Sequence, residues 1–257
     1  MPLTAFTKQI RRMFDNLAPK YDLLNKVNSF GLDIHWRKAL VEVVSREDPG
    51  LILDLAAGTG DVTIALATSI PDATIVAADL SPKMLYRTLY KALDRGFSDR
   101  VKISEADALN LPFPDDHFDA LTCAFGVRNF EDIPLGLSEM HRVLAPGGMV
   151  AILELCEPVT APVNGLYQFH SAKVMPFVSG LLGAPKESYR YLHDSIAEVP
   201  SREVLERLMR EAGFRQTYHK IFLPGVAGLY VGYKPRFTEE ITEIKRKFGK
   251  ILARETV

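Results

Sequence analysis

The chain contains little that would tie it to an oxidising compartment, a membrane span, a metal or a nucleic acid. It has only two cysteines, Cys123 and Cys156, and both lie in apolar runs. We therefore expect reduced core thiols rather than a disulfide. No uncharged apolar run is long enough to span a bilayer, and no cysteines and histidines have metal-ligand spacing. The net charge of -1 argues against a surface built for nucleic acid.

The bulk numbers are typical of a globular protein. The chain has 257 residues, of which 47% are hydrophobic and 25% charged, and this suits one large α/β domain or two small ones. The amino-terminal stretch MPLTAFTKQIRRMF has no apolar core ahead of a small-residue cleavage site, so no signal peptide is expected. We predict a cytoplasmic protein. Any membrane contact, at the inner face, would be peripheral, and a homodimer is left open.

Residues 51–155 alternate between strand and helix signals. Continuous apolar runs predict strands that are buried on both faces of a parallel sheet. These runs are LILDLA, TIVAADL, VKISEAD, HFDALTCAF and MVAILEL. Helical patterns separate them, including one that Ser81 caps and Pro82 opens, and one near 134–144. Repeated βα units predict a doubly wound, mostly parallel α/β sheet.

The pattern changes after residue 157. Residues 158–200 are rich in proline, glycine, tyrosine and histidine, which fits either a structural insertion or a cap over a ligand crevice. An amphipathic helix is predicted from Ser201 to Gly213, followed by two closing strands, FRQTYHKIFL and GVAGLYVGYK. The last stretch, 235–257, has the apolar spacing of an additional helix.

A glycine-containing loop follows the first predicted strand, in LDLAAGTGDVT. Gly58 and Gly60 allow the backbone to pass close to a ligand, although a tight strand-to-helix turn explains the pattern as well. Asp54, Asp79 and Asp107 strengthen the functional interpretation. Each lies near the carboxyl end of a predicted strand, where open α/β sheets bind ligands.

Two nucleotide cofactors fit such a loop. A dinucleotide favours a third glycine and places its pyrophosphate on the helix N-terminus. Here Thr63 occupies the third-glycine position, and Asp61 opens the helix, where its carboxylate would repel a pyrophosphate. S-adenosylmethionine has no phosphate and carries an ammonium group, so we favour it, with Asp79 at the ribose hydroxyls and Asp107 at the adenine edge.

The dipeptide Arg128-Asn129 follows the fourth predicted strand. It is framed by Phe125 and Phe130 in the stretch CAFGVRNFED. Both polar residues fit an ordinary solvated loop, with asparagine favoured by turn geometry. Arg128 also fits a structural ion pair, with Glu131 or Asp132 as the expected partner.

The chain resembles the ubiquinone/menaquinone biosynthesis C-methyltransferases, within the class I S-adenosylmethionine methyltransferases. The general signature is LDLAAGTGD with AADLS and ADALNLPFPDDHFD. The specific one adds FDNLAPKYDLLNKVNSFGLDIHWRKAL, FGVRNFED, HRVLAPGG and SYRYLHDSI, and the resemblance runs from about Phe14 to Lys234. Ala57, Ala124 and Glu157 depart from the usual pattern, and the tail after Lys234 extends beyond it.

The resemblance implies a Rossmann-like, seven-stranded sheet with a helical cap, and C-methylation of a polyprenylated quinol ring. Most specifically it implies conversion of demethylmenaquinol to menaquinol. We expect Arg128, Asn129 and Tyr21 to act on the quinol. The S-adenosylmethionine site is expected to include Asp54, Gly58, Gly60, Thr63, Asp79, Asp107 and Ala108. The single domain would comprise a helical lid (1–45), a cofactor-binding core (46–157), a cap (158–200), a closing helix and strands (201–234) and an extra helix (235–257).

Several alternatives are left open. Within methyltransferases, the substrate could be a benzoquinol of ubiquinone synthesis, or the enzyme could be a small-molecule O-methyltransferase. A nicotinamide-dependent reductase is disfavoured by the missing third glycine. An inactive nucleotide-binding module is disfavoured by the intact Arg128-Asn129 pair.

Overall fold

A computed structural model describes residues 3–29, 31–156, 195, 199–223 and 225–236. Most of the expected cap (158–200) and nearly all of the expected C-terminal helix (235–257) lie outside the described residues. No helix in the described part of the chain is long and apolar enough to cross a bilayer.

The strands form a single sheet. Their bounds are β1 (Leu51–Leu55), β2 (Thr74–Asp79), β3 (Val101–Glu105), β4 (Phe118–Ala124), β5 (Leu144–Leu155), β6 (Arg215–Phe222) and β7 (Ala227–Tyr233). The order across the seven-stranded sheet is β3-β2-β1-β4-β5-β7-β6. Strands β1 to β5 pair in parallel, and β7 is antiparallel to both of its neighbours. The predicted doubly wound, mostly parallel α/β fold is confirmed.

The described helices are α1 (Ala5–Leu17), α2 (Tyr21–Asn28), α3 (Leu32–Ser45), α4 (Asp61–Ser69), α5 (Pro82–Asp94), α6 (Ile133–Val143) and α7 (Arg202–Glu211). Helix α5 begins as predicted, because the Ser81 hydroxyl accepts a hydrogen bond from the Met84 backbone N–H at 3.2 Å and Pro82 needs no donor in the first turn. Helix α7 ends two residues before Gly213, whose φ of +110° suits a residue without a side chain.

Strand β5 differs from the prediction. It was expected to start at Met149 after the PGG sequence, but it begins at Leu144 and includes that sequence. The register against β4 shifts between Phe118 and Ala120, which accommodates the irregular segment. A Cβ on Gly148 would lie 2.8 Å from the Ala145 carbonyl oxygen, so the strand passes here only because this residue is glycine.

Apolar side chains cover both faces of the sheet. Trp36, Leu40 and Leu66 belong to the cluster on one face, which α3 and α4 complete. Leu137 and Leu205, from α6 and α7, belong to the other. Strand order reverses between β1 and β4, so the crossovers on either side leave the sheet in opposite directions. A crevice therefore opens at the carboxyl ends of these strands.

Candidate active site

An open cleft with about 730 Å³ of empty space occupies this crevice. Its sheet side is formed by residues at or just past the ends of β1 to β4, and its other side by α1 and Tyr21 at the start of α2. The described lining residues are Thr7, Ile10, Phe14, Tyr21, Leu55, Ala56, Gly58, Asp79, Leu80, Met84, Ala106, Asp107, Ala108, Leu109, Ala124, Phe125, Gly126, Asn129, Phe130 and Glu131. The segment expected to be a lid thus contributes a wall of the cleft.

The loop after β1 depends on its glycines. Gly58 and Gly60 have φ values of +57° and +86°, a region that glycine adopts without strain. A Cβ on Gly60 would lie 2.7 Å from Cγ2 of Thr88, so the loop packs directly on α5. The Thr88 hydroxyl donates to the Gly58 carbonyl oxygen at 2.8 Å. Gly58 lines the cleft, whereas Gly60 shapes the loop behind it.

Asp79 holds this loop from the end of β2. Its Oδ2 accepts from the Gly58 backbone N–H and its Oδ1 from the Ser81 backbone N–H, both at 2.8 Å. Burial raises the pKa of Asp79 to about 6, and the nearby Asp15 carboxylate adds to the rise. Since each carboxylate oxygen can accept more than one hydrogen bond, Asp79 can still receive donors from a ligand in the cleft.

Asp54 and Thr63 meet beneath the loop instead of in the cleft. The Thr63 hydroxyl donates to Oδ2 of Asp54 at 2.5 Å, and the Thr122 hydroxyl donates to Oδ1 at 2.8 Å. Burial raises the pKa of Asp54 to about 6. Asp54 borders a smaller cavity beside Arg37 and Thr59, while Thr63 joins β1 to α4.

The charges around the cleft suit a cationic ligand. Asp107 and Ala108, which follow β3, line it together with Asp79 and Glu131. The Leu109 backbone N–H donates to Oδ1 of Asp107 at 3.0 Å. None of the described lining residues is a lysine or an arginine. A ligand with a sulfonium and an ammonium group fits this wall, whereas a pyrophosphate would be repelled.

The two members of the Arg128-Asn129 pair point to different places. Arg128 forms an ion pair with Glu154, with 2.6 Å between Nη1 and Oε1, and the two side chains are 6% and 0% exposed. The partner is therefore a carboxylate on β5 and not Glu131 or Asp132, as the alternative interpretation expected. Arg128 is absent from the described lining of the cleft, whereas Asn129 is part of it.

Asn129 and Tyr21 both line the cleft. Asn129 belongs to a short 3-10 turn, Val127–Asn129, and its Nδ2 donates to the Phe125 carbonyl oxygen at 3.3 Å. Tyr21 packs edge-to-face on Phe14, with 6.1 Å between the ring centroids. Because Phe125 and Phe130 also line the cleft, its polar groups lie among aromatic surfaces.

Helix α1 is attached to the end of β3 and to the segments that follow β2 and β4. Glu131 accepts from the Thr4 hydroxyl at 2.5 Å and from the Thr7 hydroxyl at 3.3 Å. The Ser81 hydroxyl donates to Oδ1 of Asp15 at 2.6 Å, and Arg11 pairs with Glu105 at 2.7 Å. These contacts hold α1 beside the strand ends, where it forms one wall of the cleft.

Glu154 is the functional candidate that sequence reasoning missed. A signal was present, because Glu154 is the one charged residue in the apolar run MVAILEL. A carboxylate in a strand buried on both faces requires a partner. The sequence contains many cations, however, and only the meeting of β5 with the turn after β4 identifies Arg128 as that partner.

The fold and the cleft together indicate a methyltransferase. The cleft lies at the switch point of a parallel sheet, its acidic wall suits a sulfonium, and its glycine loop is held by an acid at the end of β2. The fold resembles that of the solved structure of an S-adenosylmethionine-dependent methyltransferase from Aquifex aeolicus. That structure has a TM-score of 0.53 at 18% identity and is aligned over 75% of this chain and 88% of its own. The protein has the fold of a class I S-adenosylmethionine-dependent methyltransferase.

Sequence comparison then gives the family. The model of the ubiE/COQ5 methyltransferase family matches residues 4–234, and the chain belongs to that family. A demethylmenaquinone methyltransferase of Thermus thermophilus is 44% identical over 87% of this chain and 100% of its own length. A ubiquinone/menaquinone biosynthesis C-methyltransferase of Geotalea daltonii is 40% identical over 90% of this chain and 99% of its own. The enzyme is therefore an S-adenosylmethionine-dependent methyltransferase, as the sequence predicted.

Proposed function

We propose that this protein methylates a ring carbon of a polyprenylated quinol, and that its substrate is demethylmenaquinol. The observation that carries the proposal is that Asn129 and Tyr21 line the same cleft as Asp79. A flat aromatic substrate needs polar groups for its oxygens and apolar surface for its ring, and this cleft offers both. The names of the Thermus and Geotalea relatives support a quinone substrate.

S-adenosylmethionine, when bound, supplies a methyl group already activated on a sulfonium. The protein must therefore position the acceptor carbon and manage a proton. Asp79 would accept hydrogen bonds from the ribose hydroxyls, and Asp107 with Ala108 would lie at the adenine edge. Asp54, Thr63 and the loop glycines would shape the methionine end.

The quinol becomes nucleophilic at carbon as a ring hydroxyl loses its proton. We assign Asn129 to hold a ring oxygen, or a water that carries the proton away, and Tyr21 to a second polar contact with the ring. Phe125 and Phe130 would form the ring's apolar wall. Helix α1 excludes water from the sulfonium. Arg128 belongs to the same turn as Asn129.

The quinol is a membrane lipid, so we place the enzyme in the cytoplasm with contact at the inner face of the membrane. Exposed apolar side chains on the three amino-terminal helices, α1 to α3, support peripheral contact: Phe6, Leu23 and Ile34 are 39%, 50% and 60% exposed. Sedimentation with anionic vesicles tests this placement, and absence of the protein from the pellet would contradict it.

The function is tested by incubating purified protein with methyl-labelled S-adenosylmethionine and a short-chain demethylmenaquinol, followed by mass analysis of the product. We expect one added methyl group on a ring carbon. A demethylated benzoquinol run in parallel distinguishes ubiquinone synthesis, and a product with the methyl on oxygen would identify an O-methyltransferase. If neither quinol is methylated while the cofactor still binds, the quinone proposal is wrong.

A further inference from the structure

The buried carboxylate of Glu154 holds Arg128 at two points. Oε1 of Glu154 accepts from Nη1 of Arg128 at 2.6 Å, and Oε2 accepts from the Arg128 backbone N–H at 3.2 Å. Glu154 is itself completely buried near the end of β5. Because one oxygen binds the side chain and the other the backbone, Glu154 determines both the path of the chain at Arg128 and the direction of its guanidinium.

The turn that Glu154 holds presents Asn129 to the cleft. The backbone N–H of Asn129 closes the turn on the Gly126 carbonyl oxygen at 2.9 Å. Directly before the turn, Phe125 has a φ of +58°, an uncommon conformation for a bulky side chain. Its backbone N–H donates to the Leu153 carbonyl oxygen at 2.6 Å. The turn is thus anchored to adjacent residues of β5, on one side through Phe125 and on the other through Arg128.

We propose that Glu154 is a positioning residue for methyl transfer. Its carboxylate fixes the turn through Arg128, and the fixed turn directs the Asn129 amide towards the quinol. Arg128 acts through this ion pair and not by contact with the ring, which fits its absence from the described cleft lining. The inference rests on the function proposed above and adds a residue that lies outside the cleft.

The pair has two other interpretations, and each predicts different kinetics. If Arg128 stabilises charge on the quinol directly, removing the charge of Glu154 leaves turnover intact while removing Arg128 abolishes it. If the pair only stabilises the fold, each single substitution lowers the melting temperature and leaves turnover per folded molecule unchanged. If Glu154 positions the turn, the two substitutions lower turnover to the same extent and are not additive.

The experiment compares Glu154→Gln, Arg128→Met and the double variant. It measures kcat and KM for a short-chain demethylmenaquinol, Kd for S-adenosylmethionine and thermal melting. We expect each single variant to lower kcat/KM by about 10- to 100-fold, since a misplacement of about 1 Å costs that much, with Kd changed by less than about threefold. The double variant is expected to be no slower than either single one, because the two residues act as a unit.

Asn129→Ala, made alone and in the Glu154→Gln background, links the pair to its target. We expect it to slow the wild-type enzyme strongly and the Glu154→Gln enzyme only slightly. Glu206→Gln is the matched control, because Glu206 forms an ion pair with Arg210 and contacts His219 at 2.7 Å, on the far edge of the sheet. It should lower the melting temperature without changing turnover.

Three outcomes overturn the inference while leaving the proposed function standing. These are normal turnover in Glu154→Gln, multiplicative effects of Glu154→Gln and Asn129→Ala, and a double variant slower than both singles. If the single variants do not fold, Arg128→Met with Glu154→Met removes both buried charges, which restores stability in other proteins. Turnover equal to wild type in that variant would also overturn the inference. Absence of quinol methylation by the wild type would instead refute the proposed function.

Discussion

Asp79→Asn tests whether the acid at the end of β2 binds the cofactor. In the wild type, the Asp79 carboxylate accepts from the backbone N–H groups of Gly58 and Ser81, both at 2.8 Å. An asparagine keeps one oxygen but turns an NH₂ group towards one of these donors, so one hydrogen bond is lost. If Asp79 accepts from the ribose hydroxyls, as proposed, those hydrogen bonds also lose their charge-assisted component.

The size of the effect follows from these contacts. A hydrogen bond to a charged group contributes about 1.5–3 kcal/mol, and the neutral amide retains part of it. We expect a net loss of about 2–4 kcal/mol, that is, roughly 30- to 700-fold in Kd. Asp94→Asn is the control, because Asp94 is 85% exposed on the helix that follows the site, and it should bind the cofactor normally.

The same variant should alter the pH dependence of binding. The pKa of Asp79 is raised by burial to about 6, and in the proposed assignment the ribose hydroxyls donate to the ionised form. Affinity should therefore be constant well above pH 6 and fall about tenfold per pH unit below it. Asp54 titrates in the same range but is present in both proteins, so the difference between the two curves isolates Asp79.

Isothermal titration calorimetry with S-adenosylmethionine from pH 5 to pH 8 makes both measurements. A Kd for Asp79→Asn within about threefold of wild type would refute the assignment of Asp79 to the ribose. Parallel pH curves for the two proteins would refute the ionised carboxylate as the acceptor, even if affinity fell.

Further predictions follow from the loop, the buried acid and the cleft. Gly60→Ala places a Cβ against Thr88 at a φ of +86° and should cost about 1–3 kcal/mol; an unchanged melting temperature would contradict this. The pKa of Asp54 is raised to about 6, so its stabilising contribution is complete below about pH 4 and is lost as pH rises through 6. Between pH 4 and pH 8, the free energy of unfolding should therefore fall by about 3 kcal/mol more in the wild type than in Asp54→Asn. Denaturant titrations measure both, and an equal fall in the two proteins would argue against the raised pKa of Asp54. Asn129→Ala should lower kcat and raise KM for the quinol without changing the Kd of the cofactor. If only the cofactor Kd changed, Asn129 would belong to the cofactor site and not to the quinol site. Tyr21→Phe keeps the ring packing and removes the hydroxyl, so a fall of about tenfold in kcat is expected and full activity would assign Tyr21 to packing.

Local chemistry was sufficient to predict most of the fold. Apolar runs and helical spacing identify the βα units, because a parallel sheet buries both faces and its crossover helices bury one. Ser81 and Pro82 marked the start of α5, since capping depends on neighbours within one turn. The same dependence on near neighbours explains why the predicted start of β5 was wrong. A PGG sequence usually ends a helix or a strand. Only the packing of Gly148 against the adjacent strand shows that β5 continues through it.

The acids at strand ends show which parts of the site can be predicted from the sequence. Asp79 and Asp107 could be placed in the cleft from the sequence, because parallel strands bring their carboxyl ends to one edge. The positions of Asp54 and Thr63 beneath the loop could not, since side-chain direction there depends on Thr122, from another strand.

The tertiary structure alone decided what Arg128 does. In the sequence, Arg128 and Asn129 are adjacent and look like one functional unit, with Glu131 as the nearest acid. In the fold, Asn129 lines the cleft, Glu131 accepts from helix α1, and Arg128 is paired with Glu154. Sequence patterns report interactions a few residues apart, whereas a buried charge takes whichever opposite charge the packed sheet brings within contact distance. That partner is defined only once β4 and β5 lie side by side.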